Sequence, residues 1–344
     1  MSDDLKPTTM EQEREVKPKK GGKVKRHCLR FWWAYLIAFI IIIVLAVVLI
    51  IFVAVPKIAQ KKVDDAELQI DSIVASNTES GNFTMSVNST IRLSSATAAT
   101  IDGFDGVMYL EDFEPHVPFA KLAFPQTTGD KLQVVNISQF TPITDLEAFT
   151  RFNTWLLLNE SIRVTIEGDT KIHVKGLSKA YGINFKKTVT LQGLQNFKGT
   201  EVPYSTVALT PDENGDNFHG NVTVPNRSVV SFEIGNASFT TYLLGQDVGV
   251  TYMDNMVLRP GLNTFNIHAS ISQGAVVNAL QLKPYCEQGG LLPFELTGKD
   301  VVNKGQHLTY YSQALGAANQ TVDLPIGFDL KRDHDLSFTC KEGQ

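Results

Sequence analysis

The chain has 344 residues, 43% of them hydrophobic and 19% charged, with a formal net charge of −5. This length exceeds that of one small domain, and the negative charge gives no support for a nucleic-acid partner. The charge is unevenly distributed, because residues 1–30 hold nine Lys/Arg and five Asp/Glu and leave a net charge of −9 on the remainder. This tail has almost no aliphatic side chains with which to form a core. We therefore predict a disordered, basic cytosolic segment over residues 1–30.

Residues 31–55 contain no charged side chain, no Gly and no Pro. As a helix they would be about 38 Å long, enough to cross a hydrocarbon core of about 30 Å with some tilt. Seven Lys/Arg precede this segment from residue 17 onwards, whereas only three Lys follow it before the first acid. The positive-inside bias then predicts one membrane span with a cytosolic N-terminus and a lumenal or extracellular C-terminal part. A cleaved signal peptide is the alternative, but the segment is too long and no small-x-small cleavage site follows it.

Sequons and cysteines fit this topology. Every Asn-x-Ser/Thr sequon lies beyond the apolar segment, and chance would give only about three of them. A β-rich protein that is never glycosylated is the alternative. The predicted glycosylation sites are Asn82, Asn88, Asn136, Asn159, Asn221, Asn226, Asn236 and Asn319.

The cysteines divide between the two sides of the predicted membrane. Cys286 and Cys340 are the only lumenal cysteines, and they are a candidate disulfide in an oxidising compartment; two buried thiols are the alternative. Cys28 lies beside the span and is a candidate for lipidation, with an ordinary interfacial cysteine as the alternative.

After a short basic connector over residues 56–62, the apolar residues alternate and β-branched side chains become frequent, which is typical of a β-sandwich. One segment departs from this pattern. Thr144 or Asp145 is a predicted N-cap for an amphipathic helix of about 14 residues. The helix is more apolar than is needed to cover one sheet, so it either lines a groove for an acyl chain or is buried more tightly, against the sheet or between the two units. The candidate groove residues are Leu146, Phe149, Phe152, Trp155 and Leu156.

The second half follows a similar plan. Residues 81–83 and 216–218 share the pattern Gly/Asp-Asn-Phe at an offset of 135 residues. Residues 273–285 are helix-like, and the segments 292–298, 308–315 and 321–330 are predicted strands. The sequence predicts a mainly β protein with two units, residues 56–195 and 196–344, each with one amphipathic helix.

A family resemblance rests on residues 224–249. Val224-Pro225-Asn226 is followed by an alternating apolar strand and then by Gly245 to Gly249, which resembles the late-embryogenesis-abundant group 2 (LEA-2) domain. The usual second Pro of the family's triplet is replaced by Arg227, and the first half departs further. The arrangement of tail, span and tandem units is similar to fungal single-span proteins with DUF3712 domains, over roughly residues 60–340.

The resemblance implies a seven-stranded sandwich with one helix per unit, in a family whose biochemical role is poorly defined. For relatives, binding or transfer of a lipid held between the sheets has been suggested. The resemblance also favours the vacuolar membrane, with the endoplasmic reticulum and the plasma membrane as alternatives.

Catalytic and metal-binding motifs are absent from the sequence. It lacks the Gly-x-Ser-x-Gly, His-Glu-x-x-His and Cys-x-x-Cys patterns, and its histidines are scattered. Asp333-His334-Asp335 is read as a solvated cluster, and residues 212–216 as a hairpin turn. We expect no cofactor, no metal and no catalysis. The two functional hypotheses are a membrane-tethered lipid-binding module and a non-enzymatic structural or protein-interaction module.

Overall fold

The computed structural model describes residues 22–341, with side chains from residue 31 onwards. The predicted tail over residues 1–21 and the side chain of Cys28 therefore lie outside the described residues. The structure divides into one compact unit that ends at Lys57 and another that begins at Ile58.

The apolar segment is helical. Helix α1 (Gly22–Leu49) and helix α2 (Val55–Asp64) are joined by a π-helical stretch, Ile50–Ala54. Pro56 explains this stretch, because proline lacks an N–H and its ring clashes with the carbonyl four residues earlier. The helical segment from Phe31 to Asp64 is long and apolar enough to cross a membrane. A signal sequence also meets this criterion of length and composition. The residues of the predicted connector, 56–62, are helical and belong to α2.

The part of the chain after Asp64 is mainly β. The first half contains β1 (Glu67–Ser76), β2 (Asn82–Arg92), β3 (Ala99–Ile101), β4 (Phe104–Leu110), β5 (Ala120–Phe124), β6 (Thr127–Thr128), β7 (Leu132–Pro142), helix α3 (Leu146–Leu158), β8 (Ser161–Val174) and β9 (Ala180–Gln192). The second half contains β10 (Glu201–Val207), β11 (Phe218–Asn226), β12 (Val230–Leu243), β13 (Gln246–Leu258), β14 (Gly261–Ile271), α4 (Gln273–Leu280), β15 (Leu292–Asn303), β16 (Gln306–His307), α5 (Thr309–Leu315), β17 (Gln320–Leu324) and α6 (Ile326–His334).

The strands pair in the same order in both halves. In the first half, β1, β2 and β7 form one antiparallel layer, and β5, β4, β8 and β9 form another. In the second half, β10, β11 and β14 form one layer, and β13, β12, β15 and β17 form another. Helices α3 and α4 follow the third strand of the first layer in their respective halves. The order in which the strands pair is thus the same in the two halves.

The two halves differ in how their layers are connected. In the second half, β13 pairs with β14 through backbone hydrogen bonds from Gly249 to Met253. Gly249 has a φ of +146°, and a Cβ there would overlap the carbonyl oxygen of Ser270, so only glycine allows this approach. In the first half, the Gln139 side chain of β7 connects to β5 instead, accepting from the amide of Ala123 and donating to the carbonyl of Lys121.

A parallel ladder joins the halves. β1 pairs with β12, with Ile73 opposite Val230, so the first layer of the first half continues the sheet of the second. Beyond the end of β1, the hydroxyl of Thr78 donates to the carbonyl of Glu233 at 2.6 Å. The amide of Asn303 in turn donates to the carbonyl of Thr78 at 3.1 Å.

Aromatic packing between α3 and its neighbours forms the core at this junction. Asp145 caps α3, its carboxylate accepting from the amide of Ala148 at 2.8 Å, which confirms the predicted N-cap. Phe149 stacks on Phe83 at 5.2 Å between ring centroids and contacts Tyr310 of α5 at 4.9 Å. Helix α3 therefore buries apolar side chains against strands on one side and against α5 on another.

Two segments of the second half differ from their predicted structure. Residues 309–315 and 326–334 are helices, not strands. In α5 the buried residues Tyr310, Tyr311, Ala314 and Leu315 follow helical spacing. The second half consequently has three helices where one was predicted.

We predict that Phe149→Ala lowers the free energy of unfolding by about 3–5 kcal/mol, because it leaves a cavity within the junction core. Leu146→Ala, on the exposed side of the same helix, should change it by less than about 0.5 kcal/mol. Urea denaturation of the full chain in detergent micelles, followed by tryptophan fluorescence, measures both. Equal effects of the two substitutions would contradict the packing described here.

Candidate ligand-binding site

A cavity of about 410 Å³ lies between the two layers of the second half. This volume is within the range of about 300–1,000 Å³ that is typical of small-molecule sites. One layer contributes side chains from β11 and β14, the other from β12, β13, β15 and β17, and helices α4 and α6 complete the wall. Representative apolar lining residues are Phe218, Val222, Phe239, Met253, Ile267 and Val276.

Small and hydroxylated side chains at inward positions leave this space unfilled. Ala269 of β14 is fully buried and contributes only a methyl group to the wall. Thr241 of β12 and Thr251 of β13 face each other with their hydroxyl oxygens 2.8 Å apart, so the two hydroxyls form a hydrogen bond. The paired hydroxyls are accommodated without burying an unpartnered polar group. The resulting wall is apolar over most of its extent.

One end of the cavity is formed by a left-handed turn over residues 195–197. Gln195, Asn196 and Phe197 have φ values of +52°, +50° and +54°. This conformation costs about 1–2 kcal/mol per non-glycine residue, and backbone outliers of this kind concentrate at functional sites. The amide of Asn196 donates to the carbonyl of Asn319 at 2.8 Å, which joins the turn to the start of β17.

Another part of the wall is formed by the segment after α6. Leu336 and Phe338 line the cavity, and the backbone amide of Lys341 donates to the carbonyl of Gln281 beyond α4. Cys340 is joined to Cys286 by a disulfide with a Cα–Cα distance of 5.3 Å. The disulfide thus holds the segment that carries Leu336 and Phe338 against the cavity.

A polar cluster holds α6 against β10. Ser205 donates to the carboxylate of Asp329, and Arg332 contacts the same carboxylate at 2.9 Å. The guanidinium of Arg332 also lies 5.1 Å from the ring centroid of Tyr204 and donates to the carbonyl of Ser205. Ile326 and Leu330, on the same helix, face the cavity. The cluster therefore positions one wall of the site.

The predicted groove residues lie elsewhere. Phe149, Phe152 and Leu156 are buried in the junction core, Trp155 makes an edge contact with Phe113, and Leu146 is exposed. None of the five lines the cavity. Of the interpretations of this apolar helix, packing between strands and a second helix describes the observed contacts. An additional groove along α3 stays a prediction.

The predicted glycosylation sites differ in accessibility. Asn88, Asn136, Asn236 and Asn319 are exposed, and Asn82, Asn159 and Asn221 are partly buried. Asn226 is only 3% exposed. Its side-chain nitrogen donates to the carbonyl of Val230, and its side-chain oxygen accepts from the backbone amide of Ser228, both at 2.8 Å. These two hydrogen bonds close the turn between β11 and β12. These contacts leave no room for a glycan on Asn226 within this turn.

The charged clusters noted in the sequence have structural partners. Asp333 pairs with Arg332 at 2.6 Å, and His334 lies 2.5 Å from the carbonyl of Val207. Asp212 accepts from the amides of Asn214 and Asp216 and closes a turn. Among the described residues, no group of three or more His, Cys, Asp or Glu is arranged to hold a metal ion.

Comparison with known proteins gives one family. Residues 117–241 match DUF3712, a family described as proteins of unknown function. The matched segment begins just before β5 and ends within β12, so it crosses the predicted boundary at residue 195. No curated protein matches the chain.

Solved structures to which the chain is similar include two adhesins. The bacterial adhesin from Mobiluncus mulieris, which contains intramolecular disulfide, isopeptide and ester cross-links, shares 9% identity over 68% of this chain and 80% of its own, with a TM-score of 0.20. The CupB6 tip adhesin from Pseudomonas aeruginosa shares 11% identity over 75% of this chain and 98% of its own, with a TM-score of 0.18. Scores this low do not relate the folds.

We predict opposite pH effects for two aspartates of the α6 cluster. Burial raises the pKa of Asp329, so the folded state holds its proton more tightly than the unfolded chain. Its contribution to the free energy of unfolding therefore falls as pH rises from the usual range towards the raised pKa. The hydrogen bond from Arg332 lowers the pKa of Asp333. The contribution of Asp333 to the free energy of unfolding is therefore fully present above the usual pKa of an aspartate, and it is lost as pH falls towards the lowered pKa.

Urea denaturation of the full chain between about pH 3 and pH 7 tests these signs. Relative to the unsubstituted chain, Asp329→Asn should gain stability as pH rises through its window. Asp333→Asn should lose stability, relative to the unsubstituted chain, as pH rises from the lowered pKa of Asp333 to the usual range. A shared sign would contradict the assignment of the two carboxylates.

We predict that Asn226 carries no glycan in the folded chain, because its amide is buried and bonded on both sides. Peptide mapping after enzymatic deglycosylation in ¹⁸O-water marks each occupied Asn by its conversion to labelled Asp. Asn88 and Asn136, which face each other across exposed strands, are the internal comparison. An occupied Asn226 in folded protein would be inconsistent with this turn.

Proposed function

We propose that the chain is a single-pass membrane glycoprotein with a cytosolic N-terminus, whose lumenal β-rich part binds or transfers a lipid or another hydrophobic ligand. The observation that supports this is the 410 Å³ cavity with its largely apolar wall. Its aliphatic and aromatic side chains suit an acyl chain, and apolar contact is the main source of affinity in such sites. The proposal assigns no catalytic role to the protein.

The compartment and the domain plan belong to the same proposal. The apolar helix, the sequons and the disulfide together support a lumenal location for the β-rich part, with the vacuolar membrane favoured over the endoplasmic reticulum and the plasma membrane. The repeated pairing order, with three strands in one layer and four in the other, supports two tandem LEA-2-like units. The DUF3712 match supports a relation to that family.

A structural or protein-interaction role is the second candidate. It is supported by a row of exposed apolar side chains on β7, formed by Leu132, Val134 and Phe140. Asn136 lies in the same row and carries a sequon. A glycan there would cover the row, and we therefore prefer the lipid-binding role.

Photolabelling tests the lipid-binding role. The full chain is placed in lipid nanodiscs with hexadecane that carries a mid-chain diazirine, irradiated, and mapped by mass spectrometry. We expect adducts on cavity-lining residues of β12 and β13, such as Phe239 and Met253, in addition to the membrane helix. The adducts on the helix measure the dose of probe in the bilayer.

A cavity-filling variant provides the control. Ala269→Phe places a ring in the cavity and should reduce cavity adducts about tenfold, since overpacking costs about 1–3 kcal/mol. Val134→Phe, on the exposed row of β7, should leave them unchanged. Adducts confined to the membrane helix in the unsubstituted chain would overturn the proposed function.

A further inference from the structure

One end of the cavity in the second half carries positive charge. Within the described part of the chain, the residues that line the cavity include no Asp and no Glu, and Lys198 is the one among them with a charged side chain. Lys198 and its neighbour Gly199 are both exposed to solvent. The cavity therefore reaches the surface of the protein beside Lys198, whereas its wall between the strand layers is largely apolar.

A second cation borders the same end. The guanidinium of Arg227, which follows β11, donates to the side-chain oxygen of Gln195 at 3.4 Å. A Cβ atom on Gly199 would lie 3.7 Å from Nη2 of this guanidinium. Because Gln195 and Gly199 both line the cavity, Arg227 lies at the end that carries Lys198.

Neither cation is paired with an acid. In the part of the chain that the structure describes, no carboxylate lies within ion-pair distance of Lys198 or Arg227. Arg332 of α6 shows the contrast, since it pairs with Asp329 and Asp333 at 2.9 and 2.6 Å. Like charges at one end of a cavity repel each other, and a bound anion would offset this repulsion.

Two acids belong to neighbouring elements. The side-chain nitrogen of Asn319, a lining residue, donates to the carboxylate of Glu295 at 2.8 Å. Glu201 begins β10, three residues after Lys198. Neither glutamate lines the cavity. The charge that a ligand meets on the cavity wall itself is therefore positive.

We propose that this end of the cavity selects an amphiphile with an aliphatic chain and an anionic head, either a carboxylate or a phosphate. The head lies at the surface beside Lys198 and Arg227, whose ammonium and guanidinium groups are donors suited to anionic oxygens. The chain lies between the strand layers, where apolar contact provides the affinity. This inference rests on the proposed function and adds the chemistry of the ligand's head.

The experiment compares diazirine-bearing probes of one chain length on the full chain, in nanodiscs of a zwitterionic lipid at about pH 8, where a carboxylic acid is ionised. The probes are hexadecanoate, hexadecyl phosphate, hexadecanol and hexadecyltrimethylammonium, with cavity adducts normalised to adducts on the membrane helix. We expect the anionic probes to label the cavity about fivefold better than hexadecanol, and the cation to label it least. The ratio between the two anions distinguishes a fatty acid from a phosphate ester.

Added salt gives a readout that apolar packing alone would not change. Raising the ionic strength from about 0.05 M to about 0.5 M shortens the Debye length, so the preference for the anionic probes should fall to about twofold. A preference that is independent of salt would contradict an electrostatic origin.

Methionine variants identify the groups responsible. Lys198→Met keeps an unbranched apolar stem and removes the charge, so it should reduce the anion preference to about twofold while hexadecanol still labels the cavity. Arg227→Met should act in the same direction. Lys121→Met, on β5 of the first half, removes an exposed lysine that does not line the cavity and should keep the preference. Survival of the full preference in a chain that carries both Lys198→Met and Arg227→Met would overturn the proposal.

The outcomes separate this inference from the proposed function. If all four probes label the cavity of the unsubstituted chain equally, the head-group proposal fails and the lipid-binding role stands. Stronger labelling by hexadecanol or by the cationic probe also refutes the anionic head. If no probe labels the cavity, the proposed function fails first.

Discussion

The site depends on a fixed separation between the two strand layers of the second half. The backbone ladder between β13 and β14 connects the layers at one edge, and β1 extends the sheet beyond β12. Because these connections are made by main-chain hydrogen bonds, the layers cannot collapse onto each other when their inward side chains are small. Thr241, Thr251 and Ala269 thus leave a space, where a less constrained sandwich would close up.

The space between the strand layers of the first half is packed differently. Its interior is filled by rings, with Phe104 stacked on Phe124 at 5.0 Å and Phe119 on Phe152 at 4.7 Å. Its layers are connected through the side chain of Gln139, which leaves them free to pack closely. One pairing order therefore supports an aromatic interior in one half and the 410 Å³ cavity in the other. The first half also supplies the strand and helix surfaces that contact the second half.

Much of the architecture follows from local sequence patterns. Asp145 has the side chain that an N-cap requires, and residues 146–158 have helical spacing, so α3 is predictable to within one residue. The two late helices are not, because the aromatic and alternating pattern around Tyr310 favours a strand by local propensity. Tertiary contacts decide otherwise, since Tyr310 packs on Phe149 and its hydroxyl donates to the carbonyl of Glu79. Pro325, directly before α6, is the local signal that marks a break between β17 and the helix.

The candidate site itself depends on distances that a sequence does not contain. Asn196 and Gln320 are separated by more than a hundred residues, and neither belongs to a recognisable motif. The apolar side chains of α3 are conspicuous in the sequence, yet in the structure they pack against strands and α5. The cavity arises instead where small or hydroxylated side chains, such as Ala269, Thr241 and Thr251, occupy inward positions among larger ones, and this is visible only once the strands are paired.

The cross-linked segment after α6 has a practical consequence for laboratory work. Leu336 and Phe338 border the cavity, and Cys340 anchors them, so a fluorescent protein or affinity tag attached just downstream would be placed beside the cavity wall. Such a fusion would pull on this segment, and imaging or pull-down studies would then report on an altered molecule.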